Sequence, residues 1–187
     1  MKIEDFVTVK NVMPVDFCED FIENAKNGDW DKHKWTDNYE HKQEFSRDGA
    51  EELDIQFTDK EMHKKLNPFI DGAIHSYMNG LGDHGEMIAD IVSKYSNPRL
   101  NRYSLGQGMA KHYDHIHSLF SDHEGVPVLS IVGLLNDNFK GGDFVIRGKK
   151  IKLKQGDILI MPSAFLYAHE VLPVKEGVRN SFVCWAY

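Results

Sequence analysis

The sequence predicts a mainly β fold with an α layer: a double-stranded β-helix, or jelly roll, backed by amino-terminal packing helices. Three observations lead there. From residue 100 onward, short apolar runs alternate with turn signals at the spacing of a sandwich or barrel. Before residue 100 the apolar positions recur at helical spacing. The 187 residues, 41% hydrophobic and 27% charged, suit one globular domain with a proper core. The expected organisation is a single domain over residues 1–187, with a helical support region over 1–99 and the jelly-roll core over 100–187.

Residues 14–26 read as a helix. Phe17, Phe21, Ile22 and Ala25 share one face, and Pro14 suits a first turn. Residues 27–57 hold charged and aromatic side chains, Trp30 and Trp35 among them, without a readable period. Thr58 and Glu61 have capping-box spacing and open a second helix. That helix is expected to bend at Pro68 and to run on through Phe69, Ile70, Ala73, Ile74, Tyr77 and Met78 to near Gly80. Strands are expected at residues 126–135, 143–147, 150–154, 158–161, 169–174 and 180–187. The turns between them fall at Gly141-Gly142, Gly148, Gln155-Gly156-Asp157 and Glu176-Gly177.

Composition removes several classes of function. A net charge of −7 gives no general basic face for phosphate backbones, so nucleic acid is not an expected partner. The two cysteines, Cys18 and Cys184, sit near opposite ends in apolar segments; they make no disulfide framework and point to a reducing compartment. Residues 1–5 carry acids where a signal peptide needs an apolar run. No apolar stretch approaches the roughly 20 residues that span a bilayer, so no membrane partner is expected and the location is expected to be cytoplasmic. The oligomeric state is left open.

His112-Tyr113-Asp114, with His169 and Arg179 downstream, carries the chemistry. Two imidazoles and one carboxylate can cover one face of an octahedral Fe(II), leaving three positions for a co-substrate and O₂. Spaced two apart, His112 and Asp114 would share one face of a strand. In a chain with ten histidines such a tripeptide alone is weak; the downstream context gives it weight. His169 follows a strand and a loop and begins another strand. Arg179, just beyond Gly177 and placed by two antiparallel strands, could stand beside the metal, with the Ser181 hydroxyl on the same face. A guanidinium and a hydroxyl pointing together suit a dicarboxylic acid. The blander reading of Arg179, a surface ion pair, fits poorly with its apolar run.

The neighbouring residues have simpler readings. His115-Ile116-His117 could begin a cupin-type site, but the glutamate that site needs is missing; Glu124 lies in a polar loop. Residues 115–125, with His123, read as a loop beside the site. Lys149, Lys150, Lys152 and Lys154 read as the wet side of a strand. Glu170 points away from His169, and Phe182 and Trp185 read as core.

From about Leu100 to the end, the chain resembles the prolyl 4-hydroxylase-like Fe(II)/2-oxoglutarate dioxygenases, most closely the small microbial PKHD-type hydroxylases. The resemblance rests on Asn101-Arg102-Tyr103-Ser104-Leu105-Gly106, His112-Tyr113-Asp114, Leu135-Asn136-Asp137 and Gly141-Gly142-Asp143-Phe144. It continues through Gly156-Asp157-Ile158-Leu159-Ile160-Met161-Pro162-Ser163, His169-Glu170-Val171-Leu172-Pro173-Val174 and Gly177-Val178-Arg179. It implies iron on His112, Asp114 and His169, and the distal carboxylate of 2-oxoglutarate on Arg179, with Tyr103 and Ser181 in the same pocket. It also implies O₂ as oxidant, ascorbate as reductant, succinate and CO₂ as products, and a prolyl residue of a peptide or protein as substrate. A small molecule is the other substrate class. Two positions depart from the family: Pro127 stands where these hydroxylases carry an arginine directed at the peptide, and Leu134 where they carry a tyrosine. Two rival readings are a cupin-like metal enzyme that does not use 2-oxoglutarate and a non-catalytic jelly-roll binding module.

Overall fold

The computed structural model describes residues 2–36, 43–44, 51–115 and 125–187. Along the chain lie β1 (Thr8–Asn11), α1 (Val15–Ala25), β2 (Asp31–Lys32), β3 (Trp35–Thr36), β4 (Gln43–Glu44), β5 (Glu51–Glu52), β6 (Asp54–Phe57), α2 (Lys60–Gly80) and α3 (Asp83–Ile91). Then follow β7 (Arg99–Tyr103), β8 (Gln107–His112), β9 (Leu129–Leu134), β10 (Lys140–Gly141), β11 (Phe144–Ile146) and β12 (Lys149–Ile151). The chain closes with β13 (Asp157–Pro162), β14 (His169–Val171), β15 (Val174–Glu176) and β16 (Arg179–Ala186).

A seven-stranded sheet in the order β1-β13-β9-β16-β7-β6-β2 faces a five-stranded sheet in the order β12-β11-β14-β8-β5. Two-stranded ribbons, β10-β15 and β3-β4, complete the described strands. Pairing is antiparallel except for β5 beside β8. This is the jelly roll that the strand spacing predicts.

The large sheet is buried on both faces, which explains its nearly continuous apolar runs. On β13, Ile158 and Ile160 face the helices while Leu159 and Met161 face the other sheet. On β16, Phe182 and Cys184 go outward, and Val183 and Trp185 inward. The outer core joins α1 and α2 to this sheet through Cys18, Phe21, Leu66, Ile70 and Tyr77. The inner core fills the space between the sheets and surrounds the site. Cys18 and Cys184 are both buried and unpaired, as their apolar surroundings predict.

Three sequence expectations need correction. The amino-terminal region, read as helical, also supplies strands: β1 pairs with β13, β6 with β7, and β5 with β8. These strands run only two to four residues, too short for a period-2 pattern to show. The cap of α2 is Asp59, whose Oδ1 accepts from the Met62 N–H at 2.8 Å, and not Thr58. Thr58 instead donates its hydroxyl to the Pro98 carbonyl, tying the helix entrance to β7. The run expected at 169–174 is two strands: β14 belongs to the five-stranded sheet and β15 to a ribbon, with Pro173, which has no N–H to offer a ladder, between them. Helix α3 had no counterpart in the sequence reading. It packs so closely on α2 that a Cβ on Gly85 would lie 1.8 Å from the Met78 carbonyl oxygen.

Candidate active site

The two histidines of interest are cross-strand partners. His112 ends β8, and His169, which opens β14, stands directly opposite it. Their rings lie 4.3 Å apart between centroids. Asp114 lies past the end of β8, where the chain bends, so it does not share a strand face with His112 as the spacing suggested. The bend swings the carboxylate back between the imidazoles. His112 Nε2 is 3.4 Å from Asp114 Oδ1, and His169 Nε2 is 3.7 Å from Asp114 Oδ2.

Hydrogen bonds behind the site fix each group. The Ala110 carbonyl lies 2.7 Å from His112 Nδ1, and the Tyr167 carbonyl lies 3.1 Å from His169 Nδ1. A carbonyl only accepts, so Nδ1 carries a proton in both rings and each Nε2 is turned toward Asp114. Ser130 Oγ donates to Asp114 Oδ2 at 2.6 Å, and Ser163 Oγ supports Ser130 at 2.8 Å. Phe144 stacks on the His169 ring at 5.4 Å.

Electrostatics favour the protonation states a cation needs. Burial, opposed by Asp114 and helped by the neighbouring His112, holds the His169 pKa down to about 4, so the ring is neutral near pH 7. Burial alone would raise the Asp114 carboxyl; the two imidazoles and the Ser130 hydroxyl overcome it and hold the pKa well below the usual carboxylate range. His112, Asp114 and His169 are the one group of three or more candidate ligands among the described residues, their ligating atoms all within 4.8 Å of one another.

Arg179 reaches the same cavity from the opposite wall. The strand that carries it, β16, is in the seven-stranded sheet, where Arg179 pairs with Tyr103. The two-strand arrangement expected to link it to His169 is therefore corrected: the chain changes sheets between them. Arg179 is 1% exposed. Its Nη1 donates to Ser181 Oγ at 2.7 Å, and its guanidinium lies 5.1 Å from the centroid of the Tyr103 ring. Nε and Nη2 are buried with no partner. Gly142, with φ +60°, leaves room for this side chain; a Cβ there would meet Arg179 Cδ at 3.0 Å.

Other residues enter the site that the sequence reading did not single out. Arg99 and Asn101 line the cavity beside Tyr103, and Val132, Val171 and Trp185 form apolar wall. Trp35, from the stretch without readable period, sets its ring edge 5.2 Å from His112. Glu52 accepts from Trp35 Nε1 at 2.8 Å and faces His33 Nδ1 at 3.0 Å. Burial, then the charges of Arg99 and His112, push the His33 pKa down to about 3. Of the loop expected at 115–125, His115 is exposed, while His117 and His123 lie outside the described residues. Pro127 and Leu134 are both buried, Pro127 just ahead of β9 and Leu134 at its end.

A family model described as the 2OG-Fe(II) oxygenase superfamily matches residues 98–187, the segment that carries all six of these expected site residues. Over residues 98–187, just under half of its length, the chain is similar to that superfamily. Solved prolyl hydroxylases share its fold at low identity. One from Trichoplax adhaerens, in complex with a hypoxia inducible factor peptide fragment, aligns with a TM-score of 0.72 at 14% identity over 98% of this chain and 84% of that one. A Pseudomonas putida prolyl-4-hydroxylase gives 0.67 at 15% over 97% and 91%. A viral collagen prolyl hydroxylase from Paramecium bursaria Chlorella virus-1, in its 2OG complex, gives 0.63 at 16% over 97% and 94%. No curated protein sequence matches the chain significantly.

The matched segment is thus that of a 2-oxoglutarate-dependent dioxygenase, and that family implies Fe(II) and 2-oxoglutarate. The residues present fit both. Two imidazoles and an ionised carboxylate suit a hard-to-borderline ferrous ion. The orphaned N–H groups of Arg179 suit a carboxylate, since a buried cation with open donors is costly until they are paired. Among the described residues, no helix is long and apolar enough to cross a membrane.

Proposed function

We propose that His112, Asp114 and His169 hold Fe(II), that Arg179 with Ser181 and Tyr103 holds the distal carboxylate of 2-oxoglutarate, and that the enzyme hydroxylates an unactivated C–H bond of a prolyl residue in a peptide or protein. Residues 1–187 act as one domain in this reading, because β5 and Trp35 complete walls that β8 and His112 begin. One observation carries it: a fully buried guanidinium with two unpartnered donors shares a cavity with a pre-oriented two-histidine, one-carboxylate set. A cupin-like metal enzyme without 2-oxoglutarate, or a binding module, would have no use for those donors. The prolyl substrate is supported by the solved prolyl hydroxylases of the same fold.

Bound iron, O₂ and 2-oxoglutarate together supply the oxidising chemistry, which releases succinate and CO₂ and leaves one oxygen atom in the product. The protein's part is placement. Arg179 fixes the far end of the co-substrate, which orients its 2-oxo end toward the triad. Ala110 and Tyr167 keep the Nδ1 protons of the histidines away from the ligand face. Ser130, backed by Ser163, holds the Asp114 carboxylate in place. Val132, Val171, Phe144 and Trp185 exclude water from the reacting centre. Ascorbate is the proposed reductant, to be tested by whether it prolongs turnover. The substrate test is succinate release against a panel of peptides including proline-rich ones. The expected result is a prolyl peptide that stimulates succinate release and gains the mass of one oxygen atom. Stimulation by non-prolyl compounds alone would reject the prolyl substrate.

A further inference from the structure

A second buried guanidinium faces this cavity, and the chemistry described so far does not use it. Arg99, Asn101 and Tyr103 alternate along β7 opposite Val183, Ser181 and Arg179 of β16, and all but Val183 have polar side chains lining the site. Arg99 is 9% exposed. Its Nε donates to Asn101 Oδ1 at 3.1 Å, and its guanidinium lies 5.4 Å from the centroid of the Trp185 ring. Among the described residues no carboxylate stands within ion-pair distance of it. Its charge is felt at His33, and it feels Tyr103 and Asp114, so it sits toward the triad. Asp114 is not free to pair with it, because both its oxygens face the imidazoles.

Two features assign it a ligand of its own. Arg99 and Tyr103 are four residues apart on one strand, about 13 Å at ordinary strand rise, so the Arg99 and Arg179 side chains leave the wall at well-separated points. Formal charge gives the same answer. The ferrous ion, Asp114, the two carboxylates of 2-oxoglutarate and Arg179 sum to zero. Glu52, the other buried carboxylate nearby, is engaged by Trp35 Nε1 and His33 Nδ1, so among the described residues the Arg99 charge has no anion in contact with it. A carboxylate brought by the primary substrate supplies one.

We infer that Arg99 binds a carboxylate of the primary substrate, and that the enzyme selects an acidic substrate. The carboxylate is either the α-carboxylate of a free or carboxy-terminal residue or the side chain of an acidic residue beside the target. This rests on the reading of the cavity as the oxidation site given above.

The test uses acid–amide pairs. N-acetyl-L-proline against N-acetyl-L-prolinamide probes an α-carboxylate; the blocked dipeptide amides Pro-Glu and Pro-Gln probe a side chain. Each is titrated calorimetrically into protein loaded with Mn(II), a divalent stand-in for the ferrous ion, and saturated with 2-oxoglutarate without O₂, using wild type, Arg99→Met and Arg99→Lys. The expected result is an acid bound at least about tenfold tighter than its amide by the wild type, with the preference lost in Arg99→Met and partly restored in Arg99→Lys. The pair that responds names the source of the carboxylate. Equal binding of acid and amide in both pairs, or a preference that survives Arg99→Met, overturns the inference. The visible band of the Fe(II)–2-oxoglutarate complex is recorded separately in wild type and both variants. Its absence from the wild type would count against the proposed function, while the acid–amide comparison still decides Arg99.

Discussion

Arg179 combines near-complete burial, a fixed hydroxyl partner and two idle donors, so its removal should be felt at the co-substrate. Charge-assisted hydrogen bonds are each worth about 1.5–3 kcal/mol, so losing two predicts that Arg179→Ala raises the KM for 2-oxoglutarate by about 100-fold or more in a succinate assay. Ser130 acts one step back, through Asp114. Ser130→Ala is expected to weaken Fe(II) affinity about 10–100-fold, measured by competition with a chromophoric chelator, with little change in 2-oxoglutarate affinity at saturating iron. At this scale the sequence was legible where a residue type carries its own chemistry: His112, Asp114, His169 and Arg179 are unusual side chains in suggestive company. Ser130, Arg99 and Trp35 were not legible. Their roles exist only because strand pairing and sheet facing bring them to residues far away in sequence, as with Ser130 and Asp114 or Trp35 and His112.

The elements that carry these residues show a similar division. Strands β9, β11, β13, β14 and β16 were readable because turn glycines bracket apolar runs, whereas β10 fell on an expected turn and β15 was merged with β14. Burial on both sheet faces erased the alternation that would have given the orientation of β9, β13 and β16. Short strands such as β5 and β6 have no room for a pattern, and their place is set by the partner strand. The same dependence makes the turn at Gly142 sensitive. Its φ of +60° and its 3.0 Å clearance to Arg179 Cδ predict that Gly142→Ala costs about 1 kcal/mol or more in backbone strain and also displaces the guanidinium. The expected signature is a lower urea midpoint together with a raised KM for 2-oxoglutarate; a midpoint shift with unchanged KM would mean the turn does not set the Arg179 position. For α2, Asp59→Ala should lower stability by about 1 kcal/mol through loss of the cap to Met62, read from the same urea transition.

For the whole molecule, pH reports the buried imidazoles. The His33 and His169 pKa values are depressed from an ordinary 6.5 to about 3 and about 4. Below pH 6.5 the unfolded chain takes up protons at these rings while the metal-free folded chain does not, so stability rises with pH across this range and falls as pH is lowered from 6.5 toward 4. The urea midpoint of metal-free protein is therefore expected to be lower at pH 5 than at pH 7, and an unchanged midpoint would contradict neutral buried rings. Overall architecture was largely readable from turn spacing and composition, whereas the convergence of two sheets on one cavity was not, since it joins β8, β14, β7 and β16 across two sheets. That convergence underlies the central claim: a ferrous ion on His112, Asp114 and His169 shares its cavity with a co-substrate on Arg179. Anaerobic titration of Fe(II) into protein saturated with 2-oxoglutarate tests it most directly. The account predicts one Fe(II) per chain with a weak visible charge-transfer band, lost in folded Arg179→Ala and His112→Ala. A folded wild type without the band, or an undiminished band in either variant, would contradict it.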